Sequence, residues 1–199
     1  MSDVRQVRMT RRSLLQAGGV AALAGSLPAD ARVVHSLRVT SNGMASIANF
    51  TFRCALGRGG VSSSKREGDG ATPIGSWPLR NVLFRPDRLA RPTTALPVAP
   101  LQPADGWCDA PADPNYNRMV RHPYPASAEH LWRKDGIYDL IVVVGYNDQP
   151  VIPGRGSAIF LHVARPDYTP TAGCVAFARQ DLLQVLELLT ASSRLIVSA

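Results

Sequence analysis

Lysine is nearly missing from this 199-residue chain: Lys65 and Lys134 are the only two, so the net charge of +7 rests almost wholly on arginine. The basic residues never run together with interleaved aromatics, so the footprint of a nucleic-acid binder is absent and no nucleic-acid partner is expected. No internal repeat occurs, which excludes solenoids and propellers. No apolar stretch reaches the ~20 residues that a membrane-spanning helix needs. Cysteine is scarce too. Cys54, Cys108 and Cys174 form no Cys-x-x-Cys pair, and the four histidines form no His-x-x-x-His pair. With His122 or His130 added to His162 and Cys174, the spacing still fits no metal motif, so neither metal nor cofactor is expected.

What is present describes a globular protein, with 45% apolar and 19% charged residues. Sixteen prolines and sixteen glycines favour turns and irregular loops over helical bundles. The modest positive balance suits either an anionic polymer as partner or a basic soluble surface with none.

The first 31 residues read as an address. Thr10-Arg11-Arg12-Ser13-Leu14-Leu15-Gln16 sets paired arginines directly before a block of Ala, Gly and Leu, and Ala29-Asp30-Ala31 offers small residues to a signal peptidase. This is the pattern of a twin-arginine-type signal peptide, removed to leave a mature, extracytoplasmic chain without a membrane span. An amphipathic helix is the competing reading, but the apolar residues form a solid block without a stripe. In an oxidising compartment, three cysteines leave at least one unpaired or paired between chains. Cys54 reads as a small buried hydrophobe, and a Cys54–Cys108 bridge would leave Cys174 as the free thiol.

Alternating and β-branched stretches predict strands over 37–39, 47–56, 77–84, 138–144, 158–163 and 194–197. Leu182, Leu183, Leu186 and Leu189 share one face of a predicted helix over 181–189. Residues 57–75 read as loop throughout. Residues 85–136 show no sustained period, and a loop region of that length serves function or covers a site. The whole reads as one mainly β domain over 35–199.

Chemistry gathers at Ile159-Phe160-Leu161-His162-Val163 and Thr171-Ala172-Gly173-Cys174-Val175. A histidine ends an apolar strand, and twelve positions later a cysteine follows a glycine on a turn. An unperturbed thiol of pKa ~8.5 is mostly protonated at neutral pH. A nearby imidazole can take that proton, or hold it in an ion pair, and later return it to a leaving amine. Gly173 lets the backbone approach a substrate and leaves amides to face a developing oxyanion. On spacing alone, the two residues could equally be ordinary core residues.

The strand histidine, the Thr-x-Gly-Cys-Val turn and the amphipathic helix after it resemble the active-site motif of the L,D-transpeptidase (YkuD-like) catalytic family. The upstream Lys65-Arg66-Glu67-Gly68-Asp69-Gly70-Ala71-Thr72-Pro73-Ile74-Gly75 is similar to that family's glycine-rich loop, in which a lysine and a Thr-Pro run lead into the next strand. Tyr116-Asn117-Arg118, Glu129-His130-Leu131-Trp132-Arg133 and Gly156-Ser157-Ala158 also resemble members of this branch.

The resemblance implies a β-sandwich with one helix after the cysteine and long irregular loops. It implies a monomeric enzyme of cell-wall biogenesis that acts on peptidoglycan stem peptides. Cys174 would attack the amide after the third stem residue, D-alanine would leave, and an amine would resolve the thioester into a cross-link. His162 would be the base, the Gly173 and Cys174 amides the oxyanion donors, and Thr171 a turn or substrate contact. Arg155 and Arg165 would meet stem-peptide carboxylates, or else be solvated surface residues. The chain departs from the pattern at Ala172, where most members carry histidine, and at Ala176, where many carry Arg or Asn. Whatever that second histidine does in placing substrate must be done otherwise here. Two rivals stay open at this point: a wall-peptide hydrolase using the same thioester, and an inactive wall-binding module.

Overall fold

The computed structural model describes residues 36–199; the segment read as an export leader lies outside them. Fourteen strands and one helix follow in chain order. The first group is β1 (Leu37–Thr40), β2 (Met44–Ile47), β3 (Phe50–Ala55), β4 (Val61–Ser62), β5 (Thr72–Pro73) and β6 (Gly75–Phe84). Next come β7 (Val98–Pro100), β8 (Asp105–Cys108), β9 (Met119–Arg121), β10 (Ala128–His130) and β11 (Leu140–Val144). Then β12 (Phe160–Val163), β13 (Val175–Phe177), α1 (Arg179–Leu188) and β14 (Arg194–Ser198) complete the chain.

The main sheet runs β11-β12-β13-β3-β2-β1-β14-β6-β7, and β6 pairs again with β11. Two long strands make this closure. The front of β6 pairs with β14 and its back, from Leu79 onward, with β11. The front of β3 pairs with β2 and its back with β13. The result is a mainly β sandwich whose two sheets share strands, with few free edges.

Strand parity sorts the side chains. Leu37 and Val39 of β1, and Leu195 and Val197 of β14, point inward while their neighbours face water. The five aliphatics of β11 are buried on both faces, hence their unbroken apolar run. Leu140, Val142 and Val144 join the interior cluster, whereas Ile141 and Val143 pack outside it with Leu83, Leu131, Tyr138, Phe160 and Cys174. The helix drives Leu182, Val185 and Leu186 into the interior cluster. Asp181 in its first turn complements the helix dipole.

Several expectations are corrected. Residues 47–56 are two strands, because the chain turns at Ala48, which sits at φ 50°. The helix begins two residues before the predicted start and buries Val185, with Leu183 only half-buried. Residues 85–136 hold β7 and a separate sheet ordered β10-β8-β9, strands of three or four residues that are too short for a period to register. All three cysteines are free and buried. The Cys54–Cys108 bridge is not formed: Cys54 lies in the main sheet and Cys108 in the small one. No described helix is long and apolar enough to cross a membrane.

Phe177 is fully buried where β13 meets β3. Truncating it leaves a large cavity with little room to collapse, so Phe177→Ala is expected to destabilise the domain by about 3–5 kcal/mol in urea unfolding.

Candidate active site

β12 and β13 are parallel neighbours, with Leu161 opposite Val175 and His162 opposite Ala176. A parallel pair requires the chain to travel back the length of the first strand before starting the second. That return is the segment between His162 and Cys174, and it delivers Cys174 level with Phe160, whose N–H points at Sγ at 3.4 Å. Leu161, Val163, Val175 and Phe177 face the interior. By alternation His162 and Cys174 therefore share the outer face. Strand spacing of ~4.8 Å and a two-residue rise of ~6.6 Å set their Cα atoms roughly 8 Å apart on a diagonal, a gap that an imidazole and a thiol can span. Both are nearly buried, at 6% exposure for Cys174 and 5% for His162. Both line one cavity of about 450 Å³.

The thiol is held by backbone. Sγ donates to the Ala158 carbonyl at 3.1 Å. Ala158 sits at φ 51°, a conformation that costs an alanine on the order of 1 kcal/mol and here aims its carbonyl at the sulfur. Asn117 fixes it, accepting from the Ala158 amide at 3.1 Å while its own amide group donates to Tyr146 and Asn147 carbonyls. The imidazole is oriented as well. Nδ1 lies 2.9 Å from the Val163 carbonyl, and since a carbonyl only accepts, Nδ1 carries the proton and Nε2 keeps its lone pair. The Tyr138 ring meets the imidazole edge-on at 5.3 Å.

Burial dominates the titration of both groups. It pushes the Cys174 thiol up to about 12, with Glu129 adding to the effect. It lowers the His162 imidazole to about 4. Both shifts favour the neutral forms, thiol and imidazole.

The other expected residues divide. Thr171 clasps the turn: its hydroxyl donates to the Cys174 carbonyl at 2.7 Å and accepts the Gly173 amide at 3.0 Å. The Gly173 amide, expected as an oxyanion donor, donates to that hydroxyl in this structure. Among the described residues the Cys174 amide makes no backbone hydrogen bond. Gly173 itself serves close approach, at φ 137° with the Ala71 carbonyl 2.9 Å from where a Cβ would stand. Arg165 lines the cavity and leans on Asp135 at 3.3 Å, but Arg155 lines a different one.

Sequence reading missed Asp109, Glu129 and Tyr138 as members of this cavity. Glu129 stood inside a stretch quoted only for resemblance, and Tyr138 at the head of a strand. The signal that finds Asp109 and Glu129 is the pairing of the small sheet over the site.

The glycine-rich loop abuts the cysteine turn. Arg58 N donates to the Thr171 carbonyl and Thr171 N to that of Leu56, at 2.9 and 2.8 Å. Asp69 organises the loop by accepting Lys65 Nζ at 2.6 Å and the Ala71 and Arg66 amides. Glu67 takes both the Tyr116 and Ser157 hydroxyls, tying the loop to the strand that leads to His162.

Two outcomes follow from this geometry. The folded imidazole titrates near 4 and the unfolded one near 6.5, so the unfolded chain binds the extra proton between those values and stability falls as pH drops through them. Urea melts at pH 7.5 and 4.5 should show wild type losing about 2–3 kcal/mol more than His162→Gln. Gly173→Ala forces a left-handed φ on alanine and drives its Cβ into the Ala71 carbonyl. A loss of about 1–3 kcal/mol is expected in thermal melts.

The family model for the L,D-transpeptidase catalytic domain (YkuD) matches residues 36–197. Among curated proteins none matches. Among solved structures the chain is similar to L,D-transpeptidase 1 of Mycobacterium tuberculosis, at 11% identity and a TM-score of 0.39 over 83% of this chain and 62% of that one. It is also similar to an L,D-transpeptidase from Mycobacterium smegmatis, at 11% identity and 0.38 over 83% and 58%. The chain thus spans less than two thirds of the length of either structure. The family match takes in nearly every described residue, both sheets and the cysteine turn included, so the chain belongs to the L,D-transpeptidase catalytic-domain family.

Proposed function

We propose that the protein is an extracytoplasmic transpeptidase of the bacterial cell wall that works through a thioester on Cys174. The observation that carries this reading is the shared cavity: an oriented imidazole with a free Nε2 and a thiol on the adjacent strand face the same space. The neutral resting pair fixes the order of events. Substrate entry displaces Sγ from the Ala158 carbonyl, and rotation about χ1 brings the thiol to His162 Nε2. The proton moves to the imidazole as sulfur attacks the peptide carbonyl, so no free thiolate accumulates. The Cys174 amide faces the developing oxyanion. His162 then gives its proton to the departing amine, D-alanine in a tetrapeptide stem, and a thioester remains. A second amine attacks the thioester, its proton passes to His162, and the thiol is restored.

Peptidoglycan stem peptides fit the lining, which mixes the guanidiniums of Arg58, Arg133 and Arg165 with the carboxylates of Glu67, Asp109 and Glu129. A peptide bearing both free carboxylates and free amines meets complementary charge there. Export by the twin-arginine-type leader over residues 1–31 would bring a monomeric enzyme to that substrate.

Intact mass after exposure to a tetrapeptide donor tests the proposal. Wild type should carry a covalent adduct short of the terminal residue, and Cys174→Ser should carry none. With an added D-amino acid, an exchanged tetrapeptide marks transfer, and shortened peptide alone marks a hydrolase. No adduct on wild type from either the donor or a carbapenem would refute the thioester.

A further inference from the structure

The small sheet supplies the cavity wall facing the cysteine turn, and it is acidic. In the pairing of β8 with β10, Trp107 stands opposite Glu129 and Cys108 opposite Ala128. The Asp109 amide continues the ladder to the Ser127 carbonyl at 3.3 Å. Alternation therefore puts Trp107, Asp109 and Glu129 on one face, with Asp109 and Glu129 diagonal neighbours. That face looks onto β12, for the Trp107 indole packs edge-on against Phe160 at 5.1 Å.

Glu129 is connected to the reacting pair. Its Oε1 accepts the Tyr138 hydroxyl at 2.9 Å, and the Tyr138 ring abuts the His162 imidazole. Among the described residues no donor reaches its Oε2. Asp109 Oδ1 is buried without any partner, an acceptor waiting for a donor that the protein does not provide. Arg133, a nearby cation, is engaged by Asp135 through two hydrogen bonds at 3.0 and 2.7 Å.

Such a wall opposes the first half-reaction, because negative charge beside a thiol disfavours the thiolate. The second half-reaction gives it a purpose. An alkyl amine with a pKa of ~10 arrives as an ammonium and has no lone pair for attack. It must be held beside the thioester and relieved of one proton.

We propose that Glu129 and Asp109 bind the ammonium of the acceptor and that Glu129 takes its first proton. This inference rests on the transpeptidase reading above. In the step, the ammonium gives one proton to the Glu129 carboxylate, and the freed nitrogen attacks the thioester carbonyl. A C–N bond forms, the C–S bond breaks, and a second proton passes through His162 to the departing sulfur. The third stays on the amide nitrogen, and Glu129 later releases its proton to water. Burial raises the Glu129 carboxyl above the usual carboxylate range, which suits it to hold that proton transiently. The same pair does the acceptor-placing work that Ala172 cannot do.

Glu129→Gln tests the proposal while keeping an oxygen for the Tyr138 hydroxyl. Each protein is acylated with a tetrapeptide donor and then offered D-leucine, an ammonium at neutral pH, or hydroxylamine, which is largely unprotonated there. Acylated Glu129→Gln is followed by intact mass, so that the second half-reaction is read apart from any change in donor binding. Its ratio of transfer to hydrolysis with D-leucine should fall roughly 10- to 100-fold. Transfer to hydroxylamine should be unchanged, and Glu129→Asp should restore part of the D-leucine transfer. An unchanged ratio, or equal losses with both amines, would overturn the assignment. So would a variant that fails to acylate, since Glu129 would then belong to the first half-reaction. Absence of any adduct on wild type would overturn the thioester reading itself, and this inference with it.

Discussion

The register between β12 and β13 is the constraint on which the site depends. His162 faces outward because Leu161 and Val163 are needed inside, and Cys174 faces outward because Val175 and Phe177 are. A one-residue slip would bury the imidazole in the interior cluster and reverse every side chain of β13. Interior packing therefore specifies the chemistry above it. The parallel sense of the pair sets how far the chain must travel between the two residues.

Around that pair the loops are tied by polar clamps rather than by apolar contact. Asp69 gathers Lys65 and two amides, Thr72 accepts the Gly57 amide, and Thr171 closes the cysteine turn. Asp139, buried at the head of β11, receives Arg88 from the long connection and Arg179 from the helix start. Clamps of this kind fix backbone that has no ladder of its own, and they hold glycine-rich segments close enough for the Ala71 carbonyl to rest against Gly173. The cost of ordering so much loop is met by satisfied buried hydrogen bonds.

Much of this was legible from the residues. Runs of alternating or continuous apolar side chains located β1, β6, β11, β12, β14 and the helix to within a few positions. The outward parity of His162 follows from the same alternation, whereas that of Cys174 depends on β13, which no predicted strand covered. The turn at Ala48 was not legible, because it is made by an alanine in a left-handed conformation rather than by glycine or proline. The small sheet escaped because strands of three residues carry no period, and with it went Asp109 and Glu129, which enter the site only through its pairing. At Gly173 the freedom of φ was legible, whereas the Thr171 hydroxyl that accepts its amide is a matter of three-dimensional geometry.

If the proposed thioester forms, the cover itself bears on whether it meets water or an amine. A cleft open to solvent presents water at about 55 M, and an amine competes only if the site concentrates and orients it. Here Tyr138 packs on Phe160 and His162 and lines the cavity together with the cysteine turn, and Trp107 of the small sheet packs on Phe160. Expelling water strengthens each charge interaction inside, including that between the acidic wall and an entering ammonium. On the transpeptidase reading proposed above, burial that makes the thiol reluctant to ionise is the same burial that would favour an amine over water as the second nucleophile.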